Sequence, residues 1–390
     1  MINRRTLLSG TAGLALSSLL TGCGATANAL RVTLLEGSVP AEVLKRFRQQ
    51  AESPVDFQMI TQLETVFQQL QRWQLPPKAP TFSLRRLPWA QGAPRPAASN
   101  LVSLGDYWLA EAIAQDLIEP LDLPTETLEK LPVAWQQFVS REARSGSDQI
   151  AANALWAAPY KVQTLVIAYR PDQFPQAGSR SPFKTWRDLL QPQLRRQLAL
   201  PDHPRIVLGL LQKMQSGSFN PSFEMPADSA SAAQLTDSLI EPFTQLNQQV
   251  RTYDSDTSLK ALVNQDVAAV VGWSGDVMAA LQQYRELKVV IPAEGSLLSA
   301  DMWVRPKGAD MSAAAKKWIA FCWQTGPATQ ISIAGKGLSP IFLDRGVSLP
   351  GALEDSPLSI TAIQNSEPLL PLPAAVQTAY LNLWQQVRTG

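Results

Sequence analysis

Short apolar runs alternate with amphipathic segments from residue 31 onwards, and this alternation limits the chain to a few architectures. Residues 32–35 and 55–59 each have the pattern of a strand. Between them, Val43, Leu44 and Phe47 fall on one face of a helix. Strands that alternate with helices in this way predict an α/β fold with mostly parallel sheets.

The length of the chain predicts two lobes rather than one core. The first 22 of the 390 residues resemble a signal peptide, as described below, and about 368 residues remain without them. That is more than a single hydrophobic core usually organises. A hydrophobic content of 45% indicates a globular protein. The formal net charge of +1 becomes about −1 once two leader arginines are removed, so charge gives no reason to expect nucleic acid as a partner.

The first 22 residues have the features of a signal peptide. Arg4 and Arg5 precede an apolar stretch that is too short to span a bilayer, and residues 20–23 (LTGC) resemble a lipobox. We therefore expect export, a diacylglycerol anchor on Cys23, and a short tether over residues 23–30. The alternative is an ordinary secretory peptide that contains a cysteine. Residues 4–8 (RRTLL) also resemble a twin-arginine signal, and the sequence leaves Tat or Sec export open.

Several other functions lack the residues that they need. Cys322 has no intramolecular partner if Cys23 is lipidated, and no further apolar run is long enough for a membrane helix. His203 is the only histidine, which leaves no histidine-rich metal site and no evident Ser-His-Asp triad. Walker-type and strand-linked GxGxxG motifs are absent. We expect no cofactor, no metal and no enzymatic activity.

Two strand-to-helix junctions carry aromatic and acidic residues. In open α/β sheets, ligands bind beyond the carboxyl ends of strands. Residues 105–108 (GDYW) form the first such junction and place Tyr107 and Trp108 there, with Asp106 as a possible helix N-cap. Residues 271–276 (VGWSGD) form the second and place Trp273 and Asp276 there. The candidate ligand-binding residues at these junctions are therefore Tyr107, Trp108, Trp273 and Asp276.

Two further carboxylates are candidates. Asp202 lies just before the helix that Pro204 opens. Asp301 interrupts an apolar strand over residues 299–304, where an acid is costly unless it is paired. A cationic ligand would be a natural partner for Asp301, although a hinge hydrogen bond could also explain it.

With these residues placed, the chain resembles the extracellular solute-binding proteins of ABC importers, most closely the spermidine/putrescine-binding type. The resemblance runs nearly end to end, and it is carried by several stretches together. These are residues 105–108 (GDYW), 119–121 (EPL), 158–160 (APY), 167–169 (IAY), 200–205 (LPDHPR), 271–276 (VGWSGD) and 292–303.

The resemblance implies a two-lobe periplasmic-binding-protein fold of type II. Two α/β lobes would be joined by crossing hinge strands, with the ligand cleft between them. Lobe 1 would comprise residues 31–162 and 300–345, and lobe 2 residues 163–299 and 346–390. The hinges would lie near residues 161–164 and 298–300, about which the lobes would close on a ligand.

The resemblance also implies the ligand and the partners. Family members hold polyamines between carboxylates and aromatic rings, which supply counter-charge and cation–π attraction. Position by position, Tyr107 matches a stacking tyrosine, Trp273 a ring of the aromatic box, and Asp301 the carboxylate that binds a ligand amine. The implied function is that of a monomeric substrate-binding component, lipid-anchored outside the cytoplasmic membrane, that delivers a polyamine to an ABC permease.

Several family positions are occupied differently here. Leu35 and Ser38 stand where the family has aromatic residues in the first strand-to-helix loop, and Ser299 stands in place of a tryptophan. His203 and Ile206 occupy the positions of two carboxylates, leaving Asp202 as the nearest acid.

These departures leave two alternatives open. One is another small solute, such as an anion bound by Lys161 and Arg205. The other is an envelope enzyme or scaffold that kept the fold.

Overall fold

The structure, a computed structural model, describes residues 29–74, 99–144, 150–221, 229–344, 347–354, 360–370 and 372–389. The predicted signal peptide, the lipid anchor at Cys23 and most of the tether lie outside the described residues. Within the described ranges, no helix is both long and apolar enough to cross a membrane.

The described part of the chain alternates strands and helices. The strands are β1 (Leu30–Leu35), β2 (Val55–Ile60), β3 (Leu101–Gly105), β4 (Ile118–Glu119), β5 (Ser140–Arg144), β6 (Ile150–Leu155), β7 (Ala158–Tyr169), β8 (Leu198–Leu200), β9 (Val250–Tyr253), β10 (Ala269–Trp273), β11 (Lys288–Val290), β12 (Leu297–Pro306) and β13 (Glu367–Pro368). The helices are α1 (Ala41–Gln50), α2 (Leu63–Gln74), α3 (Leu109–Ala114), α4 (Thr125–Leu128), α5 (Val133–Val139), α6 (Pro204–Ser216), α7 (Ser229–Gln249), α8 (Ser258–Val263), α9 (Ser274–Gln283), α10 (Ala313–Cys322), α11 (Thr325–Ala334), α12 (Gly351–Glu354), α13 (Ile360–Gln364) and α14 (Ala374–Thr389).

One mixed sheet runs through both lobes in the order β2-β1-β3-β12-β7-β10-β8-β9. At its two ends the strands are parallel, as β1 is to β2 and β3 and as β8 is to β9 and β10. The two central strands are antiparallel to each other and to their outer neighbours. The α/β two-lobe fold predicted from the sequence is therefore confirmed, and the sheet is mixed because the chain crosses between the lobes in opposite directions.

The strands β7 and β12 form the crossing. Almost every residue of β7 is buried, as expected for a central strand that is covered on both faces. Leu298 pairs with Thr164, Ala300 with Val162, and Asp301 with Lys161, after which the register shifts. The predicted hinge segments thus lie opposite each other in this ladder, and their motion remains a prediction.

Buried apolar side chains form two clusters. The first surrounds the fully buried Trp318 and Trp303, whose ring centroids are 5.5 Å apart, and it continues past the crossing strands to Val270. The second lies under α6, α7 and α14, where Phe243 stacks on Trp384 with centroids 5.5 Å apart. Cys322 is a free thiol in the first cluster, and its burial raises the pKa of the thiol well above its usual range.

Candidate functional site

A cleft of about 1010 Å³ is lined by residues from both lobes and from a crossing strand. Its volume is at the upper end of what ligand pockets usually have. The lining includes Asp106, Tyr107, Trp108, His203, Arg205, Ile206, Trp273 and Ser299. Three of the six predicted ligand-binding residues, the aromatic ones, are therefore brought together here.

Tyr107 reaches the cleft because β3 ends at Gly105 and the chain turns at once into a single 3-10 turn, Asp106–Trp108. The residue is 57% exposed. The ring stands edge to face against His203 of lobe 2, with centroids 5.1 Å apart. Tyr107 is thus free of the core and available to a ligand.

Trp108 and Trp273 are more constrained. Trp108 stacks on Phe67 with ring centroids 4.5 Å apart, so part of its surface is used for packing in lobe 1. Trp273 ends β10 and precedes α9, where it packs against the second cluster and is half-buried. Each ring also lines the cleft, so both combine a packing contact with exposure to a ligand.

Asp106, which the sequence predicts as a possible helix N-cap, is instead a carboxylate of the cleft lining. Gly105 occupies the N-cap position instead, and Asp106 is the first residue of the 3-10 turn. Its Oδ1 accepts a hydrogen bond from Ser299 Oγ at 2.7 Å. Burial raises the pKa of Asp106 to about 6, against the lowering effect of that hydrogen bond. The sequence could have indicated a cleft position for Asp106, since it stands in the same strand-to-helix junction as Tyr107.

Asp301 makes an ion pair within the protein. Its Oδ2 lies 2.7 Å from Lys161 Nζ, and the two side chains are 13% and 6% exposed. Asp301 is not among the residues that line the cleft, although its charge contributes to the raised pKa of Asp106. A role of Asp301 in binding a ligand amine remains a prediction.

The other two predicted carboxylates also lie outside the cleft lining. Asp202 Oδ1 accepts a hydrogen bond of 2.6 Å from Arg388 of α14. Asp276 lies in the first turn of α9, where desolvation raises its pKa and the charges of Lys161 and Lys336 oppose the shift. Their contact with a ligand likewise remains a prediction.

Arg205 and His203 are the basic residues of the cleft lining. The guanidinium of Arg205 donates hydrogen bonds to Phe219 O at 3.0 Å, Asn220 Oδ1 at 2.8 Å and Leu370 O at 3.3 Å. Burial lowers the pKa of Arg205 to about 10 and, with the adjacent Arg205 charge, lowers the pKa of His203 below its usual value. The lowered pKa favours the neutral form of the His203 imidazole.

Two positions that depart from the family pattern, Ser38 and Ile206, are buried. Ser38 is buried, and its Oγ donates a 2.7 Å hydrogen bond to Leu35 O. Ile206 is buried in the first turn of α6 and adds an apolar surface to the cleft.

Over the described residues, no group of three or more His, Cys, Asp or Glu side chains could hold a metal ion.

Comparisons with known proteins give one family and several relatives. Residues 90–346 match the family described as bacterial extracellular solute-binding protein. The putrescine-binding periplasmic protein SpuD of Pseudomonas aeruginosa is 24% identical over 260 residues, which is 60% of this chain and 65% of SpuD. The putrescine-binding periplasmic protein PotF of Escherichia coli is 26% identical over 170 residues, 40% of this chain and 43% of PotF. The alignments thus span less than two thirds of these relatives.

Solved structures resemble this one over nearly the whole chain. The spermidine/putrescine substrate-binding protein PotD of Streptococcus pneumoniae superposes with a TM-score of 0.69 at 19% identity, over 93% of this chain and 98% of PotD. The TpPotD lipoprotein of Treponema pallidum gives 0.62 at 18% identity, over 93% and 100%. A periplasmic thiamin binding protein gives 0.56 at 12% identity, over 92% and 96%. At these identities the likeness is one of fold.

Proposed function

Since this chain belongs to the bacterial extracellular solute-binding protein family, we propose that it captures a small organic amine of the polyamine class and delivers it to an ABC permease. The amine would bind in the cleft between the lobes, and closure of the lobes about β7 and β12 would enclose it. The protein would perform no chemistry on the amine.

One observation carries this proposal: a single cleft combines the carboxylate of Asp106 with the rings of Tyr107 and Trp273 from opposite lobes. A carboxylate gives an ammonium group a charge-assisted hydrogen bond. Ring faces give the same group cation–π attraction and give a methylene chain apolar contact. Organic amines are the class of solute that needs both, and two curated relatives are named putrescine-binding proteins.

The anion alternative loses support because both of its proposed cations have partners in the protein. Lys161 is paired with Asp301, and three acceptors bind the guanidinium of Arg205. An anion would have to compete with these acceptors. The alternative of an enzyme has no support from the family, whose description is of solute binding.

The location follows from the same proposal. The family is described as extracellular. We propose that the chain is exported by the Tat or the Sec pathway and that a lipid on Cys23 then holds it at the outer face of the cytoplasmic membrane. The body of the protein would act as a monomer, since one chain supplies both walls of the cleft.

Isothermal titration calorimetry of the purified protein tests the proposal. We expect saturable binding of 1,4-diaminobutane or spermidine and none of phosphate. Asp106→Asn should weaken amine binding about tenfold or more, because a hydrogen bond to a charged group contributes roughly 1.5 to 3 kcal/mol.

The matched control is Asp116→Asn. Asp116 is an exposed acid that pairs with Lys307 outside the cleft, and its positive φ of 55° suits asparagine. Its replacement should leave amine affinity unchanged. Binding of phosphate without binding of either amine would refute the proposed class of ligand.

A further inference from the structure

The carboxylate of Asp301 already holds an ammonium group, that of Lys161. The two residues lie opposite each other on β12 and β7, and their charged atoms are 2.7 Å apart. Both side chains are largely buried, so their mutual attraction is little screened by solvent. In the described part of the chain, Lys161 is the one cation that pairs with Asp301.

The backbone beside Lys161 is shaped to accommodate its side chain. Gly335 and Gly337 follow α11 and lie against the lysine. A Cβ on Gly335 would come 2.7 Å from Lys161 Cδ, and a Cβ on Gly337 would come 3.1 Å from Lys161 Cγ. An added Cβ would also come 2.5 Å from the carbonyl oxygen of Val162 at Gly337 and 2.8 Å from that of Ile331 at Gly335, so both positions require glycine and the Lys161 side chain packs against them.

The pair lies next to the cleft acid. Ser299 and Asp301 are two residues apart on β12, so their side chains point to the same face of the strand. Ser299 donates its hydrogen bond to Asp106, and the charge of Asp301 acts on Asp106. The carboxylate of Asp301 therefore lies behind the cleft lining, close enough to Asp106 for its charge to act there, and Lys161 neutralises it.

We propose that the ammonium group of Lys161 occupies the carboxylate of Asp301 in place of a ligand amine. The protein then has one carboxylate fewer with which to bind the ammonium groups of a ligand. This inference rests on the proposed function, since it concerns which amine the same cleft selects. Lys161 thus favours an amine with fewer charges, anchored at Asp106, over a longer polycation.

The test compares four proteins by calorimetry: the wild type, Lys161→Met, Asp301→Asn and the double variant. Each is titrated with 1-aminobutane, 1,4-diaminobutane and spermidine. Lys161→Met frees the carboxylate of Asp301, so the affinity for spermidine relative to 1-aminobutane should rise about tenfold or more. The double variant should lose this gain. The double variant removes both charges of the pair, so its affinity for 1,4-diaminobutane should stay within threefold of the wild type.

Lys213→Met is the matched control. Lys213 is equally buried and pairs with Glu367 at 3.6 Å, but neither residue lines the cleft. Its removal should leave the spermidine preference unchanged. If Lys161→Met does not fold, as judged by circular dichroism, the double variant decides the question, because it leaves neither a buried carboxylate nor a buried ammonium group unpaired.

Two results separate failure of this inference from failure of the proposed function. If the wild type binds amines and the double variant, which has neither charge of the pair, binds 1,4-diaminobutane tenfold more weakly, the ligand itself reaches Asp301 and the inference is wrong. An unchanged spermidine preference in a folded Lys161→Met variant also overturns it. If the wild type binds none of the three amines, the proposed function fails, and the inference fails with it.

Discussion

The rings of Tyr107 and His203 meet edge to face across the cleft, with their centroids 5.1 Å apart. Tyr107 follows β3 and His203 immediately precedes α6, and both line the cleft, so this contact joins two parts of the candidate binding site that are far apart in sequence. Aromatic pairs of this kind contribute about 0.5 to 1.5 kcal/mol beyond their apolar contact. A ligand that separates the two rings loses this contribution and has to replace it with its own contacts. A ligand that packs beside the rings leaves the contribution in place.

Replacing the Tyr107 ring should weaken amine binding. Tyr107→Ala removes a ring face whose cation–π attraction contributes about 0.5 to 2 kcal/mol, so calorimetry should show a loss of roughly twofold to thirtyfold. Tyr107→Phe keeps the ring and serves as the control, with affinity close to that of the wild type. Equal affinities in all three proteins would mean that Tyr107 does not contact the ligand.

Amine affinity should fall as the pH drops through about 6. Burial raises the pKa of Asp106 to about 6, and an ammonium ligand binds the ionised carboxylate. Protons therefore compete with the ligand below that pH, and the affinity should decrease up to tenfold for each further pH unit. Calorimetry between pH 5 and 8 measures the profile. Asp106→Asn should flatten it, and a profile with the same slope in that variant would point to another group.

The carboxylate of Asp106 should make the folded protein more stable as the pH falls, whereas a carboxylate in a salt bridge makes it less stable. The folded protein binds the proton of Asp106 more tightly than the unfolded chain does, because the pKa is raised from 3.8 to about 6. The contribution of Asp106 to the free energy of unfolding should therefore increase as the pH falls through this window. Urea unfolding of the ligand-free wild type and of Asp106→Asn, compared at pH 4.5 and pH 7, measures the difference.

Gly295 should be intolerant of a side chain. It has a φ of +84°, and a Cβ there would lie 2.1 Å from the carbonyl oxygen of Asn365. Gly295→Ala should therefore lower the free energy of unfolding by more than the roughly 1 to 2 kcal/mol of left-handed strain alone. Gly308→Ala is the control, since its φ is +72° but no atom lies within 4 Å of the added Cβ. Equal losses in urea unfolding would rule out the steric contribution.

The proposed anchor at Cys23 can be tested by detergent partitioning of cell extracts. Only a thiol can accept the diacylglycerol group, so Cys23→Ser should move the protein from the detergent phase to the aqueous phase or leave it uncleaved. Cys322→Ser is the control, because Cys322 is buried inside lobe 1. Detergent-phase partitioning that persists in Cys23→Ser would exclude this anchor.

The sequence predicted features that depend on local pattern. Tyr107 and Trp273 stand at the ends of strands, and both line the cleft as the position of strand ends in an α/β sheet suggests. Asp301 was recognised as an acid in an apolar strand that needs a partner. The identity of that partner could not be predicted, because Lys161 meets Asp301 only through the register of two strands far apart in sequence. The burial of Asp106 under Ser299 depends on the same register.

The placement of β12 in the middle of the sheet has a consequence for how the chain folds. β3 is paired with β12, so Gly105 finds its neighbour Asp301 only after nearly 200 further residues have been synthesised, roughly the difference between the two residue numbers. Such non-local pairing slows folding, because a long loop must close before the contact stabilises it. Until then one edge of β3 is unpaired and open to association with other chains. The interval between synthesis of β3 and of β12 is therefore a period in which this edge of the unfinished sheet is exposed.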